Sequence, residues 1–250
     1  MTSAPSRRRL DLWLEAHGLL PSRARARDAV LRGTVKVNGL VATKPGQLVG
    51  DSDAVTLDDP AAGYVSRAAL KLIAGLDAAG IVVDSKICLD LGASTGGFTQ
   101  VLLERGAARV YAVDVGHGQL SPAVADDPRV VAFEGLNARD LGPAQVPEPV
   151  GLLVCDVSFV SVTQVLTAPL ALCGDRAEAV ILIKPQFEVG REHIGKGGIV
   201  TDAGALAAAV AGVVDFMRAA GWQHVLSLPS PIEGGDGNRE TVAVFRLNGS

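Results

Sequence analysis

The sequence predicts an α/β fold in which a mostly parallel, doubly wound sheet with an antiparallel hairpin at one edge follows a small α+β domain. Three observations support this. Short apolar runs alternate with helical stretches over the last three quarters of the 250 residues, a pattern typical of parallel strands buried on both faces. A basic segment precedes them. Between the two parts, Asp58 to Gly63 is a short stretch of polar and small residues that indicates a domain boundary.

The charge distribution divides the chain in the same region. Residues 1–44 contain nine Arg and Lys against three Asp and Glu, so this segment carries +6 although the whole chain carries −4. A basic end on an acidic body indicates a nucleic-acid partner. We therefore expect a first domain over residues 1–59, a linker over 60–64 and a second domain over 65–250.

The first domain has the signals of two helices and a hairpin. Residues 10–18 and 22–33 each combine apolar positions with a glycine at the end, and Ser22 is a good N-cap for the second helix. Asn38-Gly39 is a strong β-hairpin signal, because both residue types tolerate the positive φ of the tight turn. The strands of this hairpin are expected over residues 34–37 and 40–43.

The second domain is predicted to begin with a helix over Ser66–Ala79 and to end with a long helix, Ala203–Ala220, followed by two strands. These last strands, Val225–Leu228 and Thr241–Leu247, are joined without a helix, so we expect them to form the antiparallel edge hairpin. The five parallel strands before them are predicted at Ile87–Leu91, Val110–Asp114, Val130–Phe133, Leu152–Asp156 and Val180–Lys184.

A glycine-rich loop follows the first of these strands, at the ligand-binding position of such sheets. It lacks the full G-x-G-x-x-G spacing, because Ser94 occupies the place of the second glycine, and no P-loop lysine follows. This favours S-adenosylmethionine, which has no phosphates, over a dinucleotide or nucleoside triphosphate, with Asp114 expected to bind its ribose. A glycine-rich turn that serves only for packing stays open as an alternative. Asn137 and Asp140, after the third strand, are weaker candidates for contacts near the adenine. The predicted cofactor residues are Asp90, Gly92, Ala93, Ser94, Thr95, Gly96, Gly97, Phe98, Asp114 and Asn137.

Two charged residues follow buried strands at the same edge of the sheet. Asp156 ends the fourth strand and Lys184 the fifth. A lysine after an apolar run is partly desolvated, which disfavours its charged form and suits a base, although it could also extend to solvent. Base N-methylation usually shows an Asp/Asn-Pro-Pro-aromatic loop after the fourth strand, and this loop is absent. Methylation of a cytosine carbon needs a cysteine nucleophile, but Cys155 is expected to point away from Asp156, because adjacent strand residues face opposite sides of the sheet. The pattern favours methyl transfer to an alcohol.

Further motifs resemble a known family. The first domain contains Arg9-Leu10-Asp11, Gly18-Leu19, Ser22-Arg23, Gly33, Val35, Val37-Asn38-Gly39 and Lys44-Pro45. The second contains Tyr64-Val65-Ser66-Arg67, Lys71-Leu72, Asp90 to Phe98, Asp156-Val157-Ser158-Phe159, Lys184-Pro185-Gln186-Phe187-Glu188 and Gly237-Asn238-Arg239-Glu240. Over nearly its whole length the chain resembles the TlyA family of bacterial ribosomal-RNA methyltransferases, also called haemolysin A, with an S-four RNA-binding domain before an FtsJ-like, Rossmann-like class I methyltransferase domain.

The resemblance implies a function and a catalytic tetrad. Members methylate the ribose 2′-hydroxyl of cytidine in small-subunit, and also large-subunit, ribosomal RNA with S-adenosylmethionine. The tetrad falls on Lys71, Asp156, Lys184 and Glu240. Lys184 would be the base or would orient the hydroxyl, Asp156 and Lys71 would position it, and Glu240 would complete the charge network. One departure is the pair Ala68-Ala69, where a glycine is expected for close packing of the helix against the tetrad.

The basic residues of the first domain are the predicted contacts with RNA phosphates, which position a protein without reading sequence. A solvated helix face would show the same charges. No oligomeric state is indicated. The predicted RNA-binding residues are Arg7, Arg8, Arg9, Arg23, Arg25, Arg27, Lys36 and Lys44.

The remaining composition points to a cytoplasmic protein without a metal site. No run approaches the roughly 18 apolar residues of a spanning helix, and the first nine residues lack the apolar core of a secretion signal. Four scattered histidines lack metal-ligand spacing, and three separated cysteines suggest buried thiols.

Three alternatives to the methyltransferase hypothesis differ in class. A pseudouridine synthase would need an Arg-Leu-Asp sequence in a β-rich catalytic domain, whereas here the only one is Arg9-Leu10-Asp11. A membrane-active haemolysin is suggested by the historical family name alone, and the sequence has no basic amphipathic helix with aromatics. A non-catalytic RNA-binding protein is disfavoured by the presence of all four tetrad residues.

Overall fold

The computed structural model describes residues 7–234 and 237–247. The chain divides into two compact units, Met1–Gly63 and Tyr64–Ser250. The residues expected to form a linker belong largely to the first unit, because Ala61 is fully buried and its backbone N–H donates to the Asp59 carboxylate. The residues Asp236, Gly237 and Asn238 also predict a turn, but Asp236 lies outside the described residues.

The first unit is a small α+β structure. Helices α1 (Leu10–Ala16) and α2 (Arg23–Leu31) pack over a core of Leu, Val and Ala side chains. The strands are β1 (Arg8–Arg9), β2 (Val35–Val37), β3 (Leu40–Val41), β4 (Leu48–Val49) and β5 (Val55–Leu57). One antiparallel sheet pairs β1 with β4, and the other has the order β3-β2-β5.

Ion pairs to buried carboxylates secure both helices of the first unit. The Asp11 carboxylate is buried and accepts hydrogen bonds from the guanidinium groups of Arg9 and Arg23. The Arg9 hydrogen bond is the main cause that lowers the pKa of Asp11 to about 2. At the end of α2, Arg32 contacts Asp28 at 2.9 Å and Asp59 at 2.6 Å. Part of the basic charge of this unit therefore stabilises its own fold.

The second unit contains a seven-stranded sheet. Its strands are β6 (Ile87–Leu91), β7 (Arg109–Asp114), β8 (Val130–Glu134), β9 (Val150–Cys155), β10 (Cys173–Ile183), β11 (Trp222–Pro229) and β12 (Thr241–Leu247). Their order across the sheet is β11-β12-β10-β9-β6-β7-β8. The pairs among β6 to β10 are parallel, and β12 pairs antiparallel with β10 and with β11, as the sequence predicts.

Helices cover both faces of this sheet. The α-helices are α3 (Ala69–Ala79), α4 (Gly97–Glu104), α5 (Pro122–Ala125), α6 (Thr167–Leu170), α7 (Pro185–Glu188) and α8 (Ala203–Ala219). Short 3₁₀ turns occur at Ala138–Asp140, Val162–Gln164, Arg191–His193 and Lys196–Gly198. Val180 and Leu182 of β10 pack with α3 and α4, whereas Ile181 and Ile183 pack with α8 on the other face. Burial on both faces explains why the last five residues of the strand, 179–183, are all apolar.

The observed elements differ from the predicted ones in length. The sequence predicts a helix in each connection between parallel strands. After β7 the helix is only one turn long, and β8 connects to β9 through a single 3₁₀ turn. A longer helix between β8 and β9 is prevented by one glycine and three prolines, Gly142, Pro143, Pro147 and Pro149. The first helix begins at Ala69 rather than Ser66. Strand β10 begins at Cys173, seven residues before the predicted start, through an irregular stretch paired with β9.

The strand order places a crevice at the carboxyl ends of β6 and β9. Strands β7 and β8 extend to one side of β6, and β9 and β10 to the other, so the order reverses between β6 and β9. Ligands of open α/β sheets bind at such switch points. Gly92 follows β6 with φ +79°, and a Cβ there would lie 2.8 Å from the backbone oxygen of Asp156. The two chain segments thus approach too closely for a side chain.

Close packing of α3 on the sheet depends on one glycine. A Cβ added to Gly75 would lie 2.8 Å from Val242 Cγ1 and 2.9 Å from Val180 Cγ1. The expected glycine at Ala68-Ala69 is unnecessary, since Ala69 is accommodated with its side chain fully buried. The helix therefore approaches the sheet through Gly75.

We predict that Gly75→Val lowers the free energy of unfolding by about 1–3 kcal/mol, because the extra methyl groups overpack the interface between α3 and the sheet. Gly212→Ala is the matched control in α8, where a Cβ meets no atom within 4 Å. Removing a helical glycine without a clash should stabilise by about 0.5–1 kcal/mol. Thermal unfolding followed by circular dichroism measures both, and equal midpoints for the two variants would contradict the packing argument.

Candidate active site

Four charged side chains form a continuous series of ion pairs at the crevice. Glu240 Oε2 lies 2.6 Å from Lys71 Nζ, and Lys71 Nζ lies 3.6 Å from Asp156 Oδ2. The other carboxylate oxygen of Asp156, Oδ1, lies 2.7 Å from Lys184 Nζ. Two cations and two anions therefore alternate, and Asp156 is shared by both lysines.

Each member of this tetrad comes from a different element. Lys71 is on α3, Asp156 and Lys184 directly follow β9 and β10, and Glu240 directly precedes β12. Lys71 and Lys184 are both 7% exposed and Glu240 is 4% exposed. Removing charges from water is costly unless they are paired, so the equal numbers of the two signs make this burial tolerable. Proper folding of the sheet is a precondition for the pairs, because no two members are neighbours in sequence.

Lys184 has an additional partner that the sequence did not reveal. Its ammonium donates to Ser158 Oγ at 2.7 Å as well as contacting Asp156. Ser158 belongs to the loop after β9 and is two residues from Asp156. The available signal is the Asp156-Val157-Ser158-Phe159 motif, which by itself assigns no role to the hydroxyl.

The glycine-rich loop between β6 and α4, residues 92–96, is predicted to bind the cofactor, and we call it the cofactor loop. It is organised around the carboxylate of Asp114. Ser94 N donates to Asp114 Oδ2 at 2.8 Å, and Gly116 N donates to Oδ1 at 2.7 Å. Ser94 has φ 48°, a left-handed conformation that directs its N–H toward β7. Each carboxylate oxygen can accept a further hydrogen bond, so Asp114 is both a loop anchor and a suitable acceptor for ligand hydroxyls.

Two adjoining cavities lie beside the tetrad. The larger has a volume of about 490 Å³ and is lined by Asp114, Asn137 and Phe159, among others. The smaller, of about 170 Å³, is lined by Lys184 and by the loop after β6. Gly92, Ser94, Asp156 and Ser158 line both cavities, so the larger opens beside the smaller at the tetrad.

The predicted cofactor residues are distributed unequally between these cavities. Ala93, Thr95, Gly97 and Phe98 line the smaller one, whereas Asp114 and Asn137 line the larger one. Among the described residues Asp90, Gly96 and Asp140 line neither. Gly96 instead provides close packing, because a Cβ there would lie 2.8 Å from Leu120 Cδ1.

Asp90, in β6, bonds a residue of α4 across the glycine-rich loop that joins these two elements. It is fully buried, and its Oδ2 accepts a hydrogen bond from Thr99 Oγ1 at 2.6 Å. Within the described part of the chain, its Oδ1 has no hydrogen-bond partner. Burial is the main cause that raises the pKa of Asp90 to about 7. Its neutral form is therefore strongly favoured below neutral pH.

Sequence reasoning missed several residues of the larger cavity, notably Val115, Gln119, Leu136 and Phe159. Val115 directly follows Asp114 and is 67% exposed. Phe159 is 91% exposed with φ 66°, and its ring centroid lies 5.5 Å from that of Phe187. A large apolar side chain held in solvent in this conformation, beside a cavity, is suited to contact with a ligand.

The predicted RNA-binding residues belong to two groups. Arg9 and Arg23 contact Asp11, and Arg25 donates to the backbone oxygen of Ala61. The other five are exposed at the surface of the first unit: Arg7, Arg8, Arg27, Lys36 and Lys44.

Other chemistries have less support in the described residues. Cys155 is fully buried, and burial raises its pKa to about 12, so it is a poor nucleophile. No group of three or more His, Cys, Asp or Glu in residues 7–234 and 237–247 is arranged to hold a metal ion. None of the helices described there has both the length and the apolar character needed to cross a bilayer.

Two family models match the chain. The model of FtsJ-like methyltransferases matches residues 64–247, and that of the S4 domain matches residues 8–55. The chain is 45% identical over 235 residues to the 16S/23S rRNA (cytidine-2′-O)-methyltransferase TlyA of Mycobacterium tuberculosis, covering 94% of this chain and 88% of that protein. It is 40% identical over 242 residues to Hemolysin A of Brachyspira hyodysenteriae, covering 95% and 99%.

Solved structures show the same architecture. A structure from Streptococcus thermophilus, described as a hemolysin, is similar with a TM-score of 0.76 at 37% identity, over 98% of this chain and 90% of that chain. Magnesium protoporphyrin IX methyltransferase of Synechocystis with bound SAM is similar with a TM-score of 0.50 at 11% identity, over 73% of this chain and 79% of that chain. At such low identity the second similarity supports the fold alone.

We predict that Asp90→Asn changes the pH dependence of stability. Because the folded state raises the pKa of Asp90 from 3.8 to about 7, the native protein binds this proton more tightly, and stability falls as pH rises between those values. From pH 5 to pH 8 the wild type should lose about 3 kcal/mol relative to Asp90→Asn, at ~1.4 kcal/mol per pH unit up to the pKa.

Thermal unfolding across this pH range measures the difference. Asp175→Asn is the control, since Asp175 is exposed. If the wild type and Asp90→Asn lose stability in parallel between pH 5 and pH 8, Asp90 does not carry the buried proton.

Proposed function

This chain belongs to the TlyA family of FtsJ-like methyltransferases, and from that premise we propose that it methylates the ribose 2′-hydroxyl of cytidine in ribosomal RNA, using S-adenosylmethionine. The observation that carries the proposal is the buried tetrad of Lys71, Asp156, Lys184 and Glu240 beside two joined cavities. The relatives act on 16S and 23S rRNA by name, and we propose ribosomal subunits in the cytoplasm as the substrate.

The larger cavity fits the cofactor. Its volume of about 490 Å³ lies within the ~300–1,000 Å³ typical of small-molecule sites. Asp114 would accept hydrogen bonds from the ribose hydroxyls, and Val115 and Leu136 would contact the adenine. Gly92 and Ser94 would hold the methionine part, since they line both cavities. When bound there, S-adenosylmethionine supplies an electrophilic methyl group on its sulfonium.

Lys184 is assigned to the 2′-hydroxyl because it lines the smaller cavity, beside the residues shared with the larger one. In its neutral form the Lys184 amine would accept the proton of the 2′-hydroxyl as that oxygen attacks the methyl group that the cofactor would supply. The resulting ammonium form gives the tetrad two cations and two anions, and this proton would pass to solvent before the next turnover. Asp156 and Ser158 orient the amine through its contacts at 2.7 Å.

Lys71 and Glu240 support this cycle from the side of the tetrad away from Lys184. Lys71 lies between the two carboxylates, so Asp156 keeps a cationic partner when Lys184 is neutral. Glu240 in turn balances Lys71 and limits the cost of burying it. We therefore assign positioning roles to this pair and proton transfer to Lys184.

We propose that RNA is recognised by both units. Cations of the S4 domain that do not hold its own carboxylates are available for phosphates, and Arg27, Lys36 and Lys44 are exposed. On the methyltransferase domain, the exposed ring of Phe159 offers an unstacked base an aromatic surface beside the reaction site. Aromatic stacking is tolerant of sequence, so it would hold the nucleotide without selecting it.

The haemolysin and non-catalytic alternatives have no specific observation in their favour. The apolar side chains of α8 that are buried, including Val213 and Met217, pack against the sheet rather than forming an exposed lipid-binding face. A protein that only bound RNA would have no need for a buried, charge-balanced tetrad in contact with a cavity. Both observations favour an enzyme.

We predict that Lys184→Met reduces methyl transfer at least about a hundredfold, the usual minimum effect of losing a proton-transfer group. Asp156 keeps Lys71 as its partner in this variant, so no buried carboxylate is left unpaired. The measurement is incorporation of labelled methyl groups from S-adenosylmethionine into ribosomal subunits lacking the modification. Mass spectrometry of the released nucleosides should identify 2′-O-methylcytidine in the wild-type reaction.

Lys86→Met is the matched control. Lys86 pairs with Glu178 at 2.5 Å near the start of β6, at the opposite edge of the sheet from the tetrad. Its removal should leave the rate within about threefold of wild type, because a partly exposed ion pair contributes little. Equal incorporation by wild type and Lys184→Met would refute the assignment of Lys184, and a methyl group on the base instead of the ribose would refute the acceptor.

We also predict that Arg27→Ala combined with Lys36→Ala weakens binding of ribosomal RNA and reduces its salt dependence. For every phosphate interaction that the substitutions remove, the slope of log affinity against log salt should fall by about one. Filter binding at several salt concentrations measures both effects. Asp51→Ala serves as a control for substitution at another exposed charge in the same unit. An unchanged slope in the double variant would exclude these two cations from phosphate binding.

A further inference from the structure

A half-buried carboxylate outside the tetrad connects α7 to the loop after β9. Glu188 is the last residue of α7, which begins immediately after Lys184. Its Oε2 accepts a hydrogen bond from Ser161 Oγ at 2.6 Å, and its Oε1 accepts one from Val162 N at 2.9 Å. Both partners lie more than twenty residues earlier in the chain, so these bonds form only in the folded domain.

The partners of Glu188 terminate the segment that we call the β9 loop, residues 156–161. Ser161 is the N-cap residue of the 3₁₀ turn Val162–Gln164, and Val162 is 1% exposed in the core. Helical turns begin with N–H groups that lack an intrahelical partner, and a side chain at the first residue usually satisfies one. The side chain of Ser161 does not cap this turn, and the Glu188 carboxylate on α7 supplies the acceptor instead.

The short segment of residues 184–188 therefore contacts both ends of the β9 loop. Lys184 contacts Asp156 and Ser158 at the beginning of the loop, and Glu188 contacts Ser161 at its end. Between these points lie Val157, Ser158, Phe159 and Val160, all of which line the larger cavity. The ring of Phe187, beside Glu188, contacts Phe159 from the same segment. The position of this cavity wall thus depends on residues 184–188.

We propose that Glu188 is a positioning residue that holds the β9 loop, and with it Ser158 and Phe159, in the arrangement that binds cofactor and RNA. This inference rests on the proposed function for its kinetic consequences, although the contacts themselves do not. Glu188 does not touch the tetrad and carries no proton for the reaction. Its role is to accept two hydrogen bonds at fixed places.

The two acceptor positions make glutamine a conservative replacement for Glu188 and alanine a disruptive one. In Glu188→Gln the side-chain amide oxygen can accept from Val162 N, while the NH₂ group donates to Ser161 Oγ, since a hydroxyl is both donor and acceptor. Burial also raises the pKa of Glu188, and a protonated carboxyl could make the same pair of bonds. Geometry rather than charge should therefore determine the effect, and alanine removes both acceptors.

The test compares Glu188→Ala with Glu188→Gln in the full-length protein. For Glu188→Ala we expect the Kd for S-adenosylhomocysteine and the KM for ribosomal subunits to rise about tenfold, the equivalent of ~1.4 kcal/mol, with kcat changed less than about threefold. Glu188→Gln should restore all three values to within about threefold of wild type. Calorimetry measures the Kd and steady-state methyl transfer measures the other two.

Several outcomes would overturn the proposal. Equal damage by Glu188→Gln and Glu188→Ala would show that the negative charge is required, and a wild-type Kd and KM in Glu188→Ala would show that the loop does not need this anchor. A selective fall in kcat would indicate a part in the chemical step. If Glu188→Ala does not fold, Ser161→Ala takes its place, since it removes the hydroxyl bond to Glu188, together with the contact to Thr163 Oγ1, and keeps Val162 N on the carboxylate. Unchanged Kd and KM in Ser161→Ala would then refute the proposal.

Hydrogen exchange separates failure of this inference from failure of the proposed function. The amide of Val162 should exchange faster in Glu188→Ala than in the wild type, because its hydrogen-bond acceptor is gone. Absence of methyl transfer by the wild type would refute the proposed function alone, whereas unchanged exchange at Val162 would refute the anchor whatever the protein methylates.

Discussion

The central constraint on this structure is the sharing of one carboxylate by two buried lysines. Asp156 contacts Lys184 at 2.7 Å and Lys71 at 3.6 Å, and Glu240 contacts Lys71 at 2.6 Å, so each of the two cations lies beside a carboxylate. An unpaired ion at such depth would cost several kcal/mol, so the elements that carry these residues must meet with little freedom. In the mechanism that we propose, the same arrangement leaves Lys71 as a cationic partner of Asp156 when Lys184 is neutral.

The approach of strands β6 and β9 allows the tetrad and the cofactor loop to meet. Gly92 leaves no room for a side chain next to the backbone of Asp156, and Ser94 takes a left-handed conformation that places its N–H on Asp114. The tetrad and the glycine-rich loop are therefore joined through backbone rather than through long side chains. Asp90 lies near the end of β6, just before this loop, and its burial disfavours its charged form.

Charged residues in the first unit serve two different purposes. Arg9 and Arg23 hold the buried Asp11, and Arg32 holds Asp59, so these cations belong to the fold. Arg27 and Lys36 are exposed at the surface of the unit and are suited to phosphates. A count of basic residues alone therefore overestimates how many cations remain for the proposed contacts with RNA, because some arginines of this unit pair with its own carboxylates.

The sequence by itself determined the fold class, the presence of the seven strands in the large sheet and the residue types of the tetrad. Apolar runs specify buried strands, glycines specify turns, and residues directly after parallel strands meet at one edge for geometric reasons. The family resemblance supplied Lys71 and Glu240, which no local pattern could have paired. Tertiary structure alone decided that Gly75 rather than Ala68-Ala69 lets α3 approach the sheet, that Asp90 lies under the loop, and that Phe159 is exposed. It also brought Glu188 to Ser161. Such contacts join residues far apart in sequence, and their distances depend on packing of the whole sheet, which no short segment specifies.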